Sequence, residues 1–216
     1  MRSRSKVNHS VRLVGYKMKR ALFLFSILSI FVYSLSAMKP GDLAPDFSEK
    51  DISGKLRNLS EFKGKFLVLE WHNQGCPFVK KHYGSGNMQK LQKEITAKGV
   101  VWLSVISSAP GKQGYVTPEE EKEFLKKSQA SPSAVLFDSD GTMGKAYGAK
   151  TTPQMVLISP QGKILYNGAI DDKPSTDQSD IPSAKNYITA AIDEALAGRQ
   201  ISVSTSQPYG CSVKYE

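Results

Sequence analysis

The chain is poor in cysteine: it has two, Cys76 and Cys211, among 216 residues. Two are too few for a disulfide-dense scaffold, and no four-ligand zinc pattern can be assembled around them. Acidic residues are missing altogether from positions 1–37, which hold seven of the basic ones: Arg2, Arg4, Lys6, Arg12, Lys17, Lys19 and Arg20. The formal net charge of +9 is therefore concentrated there, and residues 38–216 carry 22 basic against 20 acidic groups. Such a body lacks the basic footprint of a nucleic-acid binder, so no nucleic-acid partner is expected. Arginine is scarce in it, occurring only at Arg57 and Arg199. The apolar run that begins at Ala21 also falls short of the roughly 20 residues needed to span a bilayer. Hydrophobic residues make up 40% of the chain, which is ordinary for a globular domain with its own core and argues against long disorder.

What stands at the N-terminus has the order of a secretory signal: basic residues to Arg20, an apolar stretch from Ala21 to Tyr33, then the small residues Ser34, Ser36 and Ala37. Residues 1–37 are read as a signal peptide cleaved near Ser36 to Met38. Met18-Lys19-Arg20 would itself open a compact signal, which makes Met18 a candidate translation start. No cysteine follows the apolar stretch, so lipid attachment is excluded on chemistry. The expected location is periplasmic or secreted, with membrane contact only through an uncleaved N-terminal segment. Export places the thiols in an oxidising compartment.

From Met38 the chain opens on Gly41, Pro45 and a Ser53-Gly54 turn, an irregular or hairpin-like lead-in. Phe66–Leu69, Val100–Ile106 and Ala134–Phe137 are short apolar runs of the kind that form strands buried on both faces. Between the first two, Met88, Leu91 and Ile95 recur at helical spacing. Thr117-Pro118-Glu119-Glu120 announces a second helix, with Thr as cap, Pro in the first turn and Glu completing a capping box. Gln154–Ser159 and Lys163–Tyr166, parted by Pro160-Gln161-Gly162, read as an antiparallel hairpin. A last helix is expected over Ser183–Ala197, stopped by Gly198. Residues 38–216 thus read as one α/β domain.

Chemistry concentrates at Cys76. It follows a buried strand and precedes Pro77, which suits the first position of a helix, so the sulfur would lie at that helix's N-terminus. Unpaired amides, the helix dipole and the nearby Lys80 and Lys81 favour a thiolate there, and the thiolate is the reactive form. His72 and His82 flank it and could be imagined in a copper site, but His72 reads more simply as packing at a strand end and His82 as solvated. Asp138 and Asp140 read as a polar turn rather than a calcium loop, because the later ligands are missing. Asp171, Asp172, Asp177 and Asp180 read as a solvated acidic loop.

With these residues in place, the chain from 38 to 216 resembles the thioredoxin superfamily, in its redoxin branch of alkyl hydroperoxide reductase and thiol-specific antioxidant proteins. Gly41–Phe47 is similar to the redoxin lead-in, and Leu59–Lys65 to the segment before the first core strand. The resemblance implies an α/β thioredoxin-like fold, a central mixed sheet flanked by helices, with an N-terminal extension and a C-terminal tail. It implies that Thr152-Pro153 is the threonine and cis-proline facing the reactive cysteine. It also implies that Glu70, six residues before Cys76, is the buried acid that relays protons. No cofactor or metal is expected; the partners would be a thiol or disulfide protein substrate or a peroxide, and an unidentified reductant.

The departures from those patterns shape the mechanism. Val79 stands where a Cys-x-x-Cys motif would have its second thiol, so no disulfide can close within the motif. The peroxiredoxin positions for proline and threonine hold Leu69 and Asn73, and its activating arginine has no counterpart. Cys211 lies fourteen residues beyond Ala197, a length that spans roughly 45 Å when extended and could cross the domain. Three relations are open: Cys211 resolves an intermediate at Cys76, staples it permanently, or is unrelated to it. The expected function is thiol-disulfide exchange, with Cys76 as nucleophile, Cys211 as resolving thiol, Glu70 as relay, Lys80 as thiolate support and Thr152-Pro153 as docking surface. A thiol peroxidase using the same pair and a non-catalytic module with a structural disulfide are the alternatives.

Overall fold

The computed structural model describes residues 38–216; the expected signal peptide and the start at Met18 lie outside them. The lead-in is a hairpin, β1 (Ser48–Asp51) and β2 (Leu56–Asn58), turned at Ser53-Gly54. The apolar runs then form β3 (Leu67–Trp71), and, after helices α1 (Pro77–Gly84) and α2 (Asn87–Ala97), β4 (Val101–Ile106). Helix α3 (Pro118–Ser128) starts at the expected box: the Glu120 amide donates to Thr117 Oγ1, while the Thr117 amide donates to Glu120 Oε2. There follow β5 (Ala134–Phe137), a short α4 (Thr142–Ala146), β6 (Thr151–Thr152), the hairpin β7 (Gln154–Ile158) and β8 (Ile164–Gly168), α5 (Tyr187–Leu196) and β9 (Cys211–Ser212).

Seven strands form one mixed sheet in the order β2-β1-β5-β4-β3-β7-β8. Strands β3, β4 and β5 run parallel at its centre, and the flanking strands are antiparallel. The strand period of two assigns the faces. Val68 of β3 joins Trp102, Met155 and Leu157 against α1, α2 and α5, while Leu67, Leu69 and Trp71 join Leu103, Val105 and Val156 against α4 and the Leu59–Phe62 turn. Burial of β3 on both faces is why its sequence is a continuous apolar run. The exception is Glu70, which points into the helix-covered face.

Three expectations need correction. Helix α5 begins at Tyr187 rather than near Ser183, because Asn186 accepts the Thr189 amide as the cap and residues Gln178–Ser183 form a separate 3-10 turn. His82 is buried, not solvated: its Nδ1 meets the Asn87 side-chain amide at 2.9 Å and its Nε2 lies 3.8 Å from Asp171. Asp171 is likewise buried, taken out of the otherwise polar loop by that contact and by the hydroxyl of Tyr209. Asp138 belongs to a turn as expected, but a buried one: it accepts the Met143 and Gly144 amides and so caps α4.

Leu69 lies wholly inside the sheet. Its truncation, Leu69→Ala, is expected to cost about 3 kcal/mol, within the usual range for a buried leucine, read as a lowered denaturant midpoint at unchanged slope.

Candidate active site

Helix α1 starts where the loop after β3 turns back. Cys76 is the residue just before it, extended at φ −73° and ψ 127°, and Pro77 opens the first turn. Proline is tolerated there because its missing N–H would have no intrahelical acceptor. The sulfur therefore sits among unpaired amides at the positive end of the helix. It is fully buried, and as a thiol it donates to the Thr152 carbonyl at 3.2 Å. The Thr152–Pro153 bond is cis, as the resemblance implied.

The tail completes the site. Strand β9 pairs antiparallel with β6, with Cys211 opposite Thr152 and Ser212 opposite Thr151. This register sets Cys211 against Cys76, where each sulfur shifts the ionisation of the other, and both are free thiols. Around the pair the tail is fixed on several sides. The Val213 amide donates to Lys150 O at 3.0 Å and the Ala109 amide to Lys214 O at 2.9 Å. The Tyr215 hydroxyl donates to Ala149 O at 2.8 Å, and that of Tyr209 to Asp171.

The two sulfurs are electrostatically unequal. Burial pushes the Cys76 thiol up, but the Cys211 thiol, the Val79 amide, the Thr152 hydroxyl and the Cys211 amide around it outweigh burial and hold Cys76 below the usual thiol range. The Thr152 hydroxyl is buried without a hydrogen-bond partner, which leaves it free to turn toward the sulfur. Cys211 moves the opposite way. Burial, the hydrogen bond it gives Cys76 and the charge it faces there push it up to about 11, against the pull of Lys214. Ionisation is thus favoured at Cys76 and disfavoured at Cys211, and the thiolate is the reactive form of a cysteine.

Glu70 is buried on β3 but is not gathered with the thiols. Its carboxylate accepts the Tyr83 hydroxyl at 2.9 Å, Trp102 Nε1 at 2.8 Å, the Ser104 hydroxyl at 3.0 Å and the Gln92 amide at 3.4 Å. Burial raises its pKa against those four donors. Val79, the residue at the missing second-thiol position, is part of the apolar cluster that contains Cys76 and Tyr83. Lys80 is exposed and lines a groove with Gln74, Gly75, Tyr83, Phe124 and Lys127. Lys81 is buried instead and donates to Lys173 O at 2.8 Å.

Two features escaped the reading of the sequence. Asn73 and Gln113 exchange side-chain hydrogen bonds across the loop before Cys76, at 3.0 and 3.3 Å. Behind the site, His72 Nε2 faces Glu121 Oε1 at 3.6 Å and His72 Nδ1 faces Glu70 Oε1 at 3.9 Å, with His72 and Glu121 both buried. Burial lowers His72 to about 3, and burial with the charge of Glu70 raises Glu121 to about 8. Glu121 directly follows the Thr117–Glu120 capping box and is not singled out by it. Only the apolar partners Phe124 and Leu125, at helical spacing, hinted that it turns inward.

The AhpC/TSA family model matches residues 40–167, more than half of the chain. The chain belongs to the AhpC/TSA family. Cys76, Thr152 and Pro153 fall inside the AhpC/TSA match, and the Cys211 tail lies beyond its end. Among curated relatives, the thiol-disulfide oxidoreductase ResA of Bacillus subtilis is 26% identical over 162 residues, covering 69% of this chain and 85% of that one. A conserved protein from Geobacillus kaustophilus superposes with a TM-score of 0.72 at 24% identity, over 84% of this chain and 94% of its own. The thioredoxin domain of a thiol-disulfide oxidoreductase from Bacteroides vulgatus gives a TM-score of 0.50 at 19% identity, over 68% of this chain and 98% of its own. The fold of this AhpC/TSA protein is therefore thioredoxin-like, and it belongs to the redoxin branch of that superfamily.

Glu121 allows a test of the buried array. Its folded pKa of about 8 lies above the ordinary 4.5, so the stability tied to its neutral form is complete below about 4.5 and is lost as pH rises through about 8. Glu121→Gln removes this titration. Denaturant midpoints between pH 5 and 9 should show the wild type losing ground steadily against the variant; parallel curves would mean that Glu121 ionises normally.

Proposed function

We propose that this redoxin-family oxidoreductase is an exported thiol-disulfide oxidoreductase in which Cys76 attacks and Cys211 resolves. The observation that carries the reading is the thiol pair itself: Cys76 at the helix end, with Cys211 held against it by the β6–β9 pairing. The family match and the ResA relative support the class of reaction. The signal-like order of residues 1–37 supports export.

In the reducing direction the Cys76 thiolate attacks one sulfur of a substrate disulfide. A Cys76–substrate disulfide forms and the substrate's other sulfur leaves as a thiolate. The charge on Cys76 is then gone, and with it one of the causes that hold Cys211 protonated. Cys211 loses its proton and attacks Cys76 Sγ, so that the intramolecular disulfide forms and the second substrate thiolate departs. Two electrons pass from the protein dithiol to the substrate. The Cys211 proton and one from water convert the two substrate thiolates to thiols, and an external dithiol returns the protein to its starting state.

Cys76 is fully covered in the reduced form, so β9 must lift for a protein disulfide to reach it. A pairing of two residues with two suits that motion, being short enough to open without disturbing the seven-stranded sheet. Thr152, freed from Cys211, would then offer its backbone to the substrate chain. Lys80 lies at the rim of the neighbouring groove, where its charge supports approach of the partner more than ionisation of the sulfur.

The decisive experiment uses the reduced protein, a model disulfide or hydrogen peroxide, and intact mass after thiol alkylation. Cys76→Ser should abolish exchange, and Cys211→Ser should accumulate the mixed disulfide at Cys76. Retained exchange in Cys76→Ser overturns the assignment, and loss of both thiols with peroxide faster than with the disulfide replaces it by a peroxidase. Cys211→Ala should in addition move the Cys76 thiolate absorbance to higher pH, because an S–H donor to the charged form has been removed.

A further inference from the structure

We propose that Gly210 is the positioning residue of the resolving step: the absence of a side chain there is what lets Cys211 close on Cys76. The inference rests on the proposed roles of the two cysteines and concerns a residue that neither touches substrate nor takes part in the electron transfer.

Three observations converge on this residue. First, Gly210 has φ +135°, a conformation that side-chain-bearing residues rarely adopt. Second, a Cβ built there would overlap the Thr152 carbonyl oxygen and lie 2.7 Å from its carbon and 3.4 Å from Pro153 N. These are backbone atoms, which cannot swing aside as the end of a flexible side chain would. Third, the residue that is crowded is the one that matters most: Thr152 pairs with Cys211 across β6–β9, and its carbonyl accepts the Cys76 thiol at 3.2 Å. Gly210 thus meets Thr152 immediately before the chain presents Cys211, and any side chain there forces β9 off the strand that aligns the two sulfurs.

The rest of the tail reads as the frame for this approach. Tyr209, on one side, is tied through its hydroxyl to buried Asp171 and packs its ring against Phe78 of α1 at 5.8 Å between centroids. On the other side, Val213, Lys214 and Tyr215 are bonded to Lys150, Ala109 and Ala149. These anchors hold the flanks whether or not residue 210 has a side chain, so a substitution there acts locally. The charged side chain bearing on the pair is Lys214, which acts on Cys211.

The second step of exchange is intramolecular, and its rate depends on alignment: misplacing a reacting group by about 1 Å can cost on the order of 100-fold. The first step needs no alignment with Cys211. A side chain at position 210 should therefore separate the two steps.

The test is Gly210→Ala, with Gly198→Ala as control. Gly198 also has positive φ, +66°, but open space around its Cβ position, so it reports backbone strain without crowding. Reduced wild type and both variants are mixed with a model disulfide, quenched with an alkylating reagent and weighed intact. Gly210→Ala is expected still to form the Cys76 mixed disulfide and to resolve it on the order of 100-fold more slowly. Its Cys211 should also alkylate faster, and its Cys76 thiolate absorbance should shift to higher pH, because the S–H donor has moved away. Gly198→Ala should match wild type in all three. Resolution at the wild-type rate in Gly210→Ala overturns the inference, as does loss of the folded far-ultraviolet spectrum, since the substitution would then act on more than the tail. Failure of wild type to form any mixed disulfide at Cys76 would instead overturn the function on which the inference rests.

Discussion

The contact between the Cys211 thiol and the Cys76 sulfur is the interaction around which the site is arranged. A helix N-terminus alone stabilises a thiolate, but Cys76 is also fully buried, and burial works against charge. What tips the balance is the set of polar groups around the sulfur, the Cys211 thiol first among them. That thiol is available only because a two-residue strand, 135 positions further along the chain, pairs with β6 in the right register. Ionisation of Cys76, protection of its sulfur from solvent and proximity of Cys211 are thus one structural fact. Lifting the tail would remove all three at once.

The buried acid is better understood against the absence at position 79. With Val79 in place of a thiol there is no sulfur beside Glu70 to deprotonate. Its carboxylate accepts donors from α1, α2 and β4, namely Tyr83, Gln92, Trp102 and Ser104. A buried carboxylate with four donors joins elements that would otherwise meet only through apolar contact, and removing it would leave the Trp102 indole N–H and the Ser104 hydroxyl unsatisfied. His72 and Glu121 extend the array toward α3 with their own polar atoms unpaired by hydrogen bonds. In the proposed cycle, proton release from Cys211 is therefore served on the tail side, near Lys214, rather than through Glu70.

Most of the frame was legible because local rules and tertiary demands agree. The apolar runs of β3, β4 and β5 lie between two covered layers, and the Thr117 cap and the β7–β8 turn use residues whose side chains dictate their own geometry. Cys76 was legible for the same reason: a cysteine before a proline that opens a helix has one place to be. Inward turns of polar residues were not legible. His82, Asp171 and Glu121 lie in stretches whose composition reads as solvated, and each is buried by a partner remote in sequence: Asp171 for His82, Tyr209 for Asp171, His72 for Glu121. The β6–β9 pairing was equally hidden, because two-residue strands carry no periodicity. The reach of the tail could be calculated from its length, but its register could not.

Under the proposed roles, placing the resolving thiol on a distant tail changes the thermodynamics of the pair. In a Cys-x-x-Cys motif the disulfide closes a very short loop, and the backbone of one helix turn fixes the geometry. Here the disulfide would close a loop of 135 residues, so in the loop-entropy model it constrains the unfolded chain far more. In the folded protein the effective concentration of Cys211 at Cys76 is set by how firmly β9 is docked. Anchors that tighten the tail, such as Tyr209 on Asp171 and Tyr215 on Ala149, favour the intramolecular disulfide and make the dithiol a stronger reductant. The same anchors oppose the lifting that admits a substrate. In the proposed cycle, reducing power and access to substrate are therefore set in opposite directions by one short strand, and tail contacts far from either sulfur would tune the balance without altering the chemistry at Cys76.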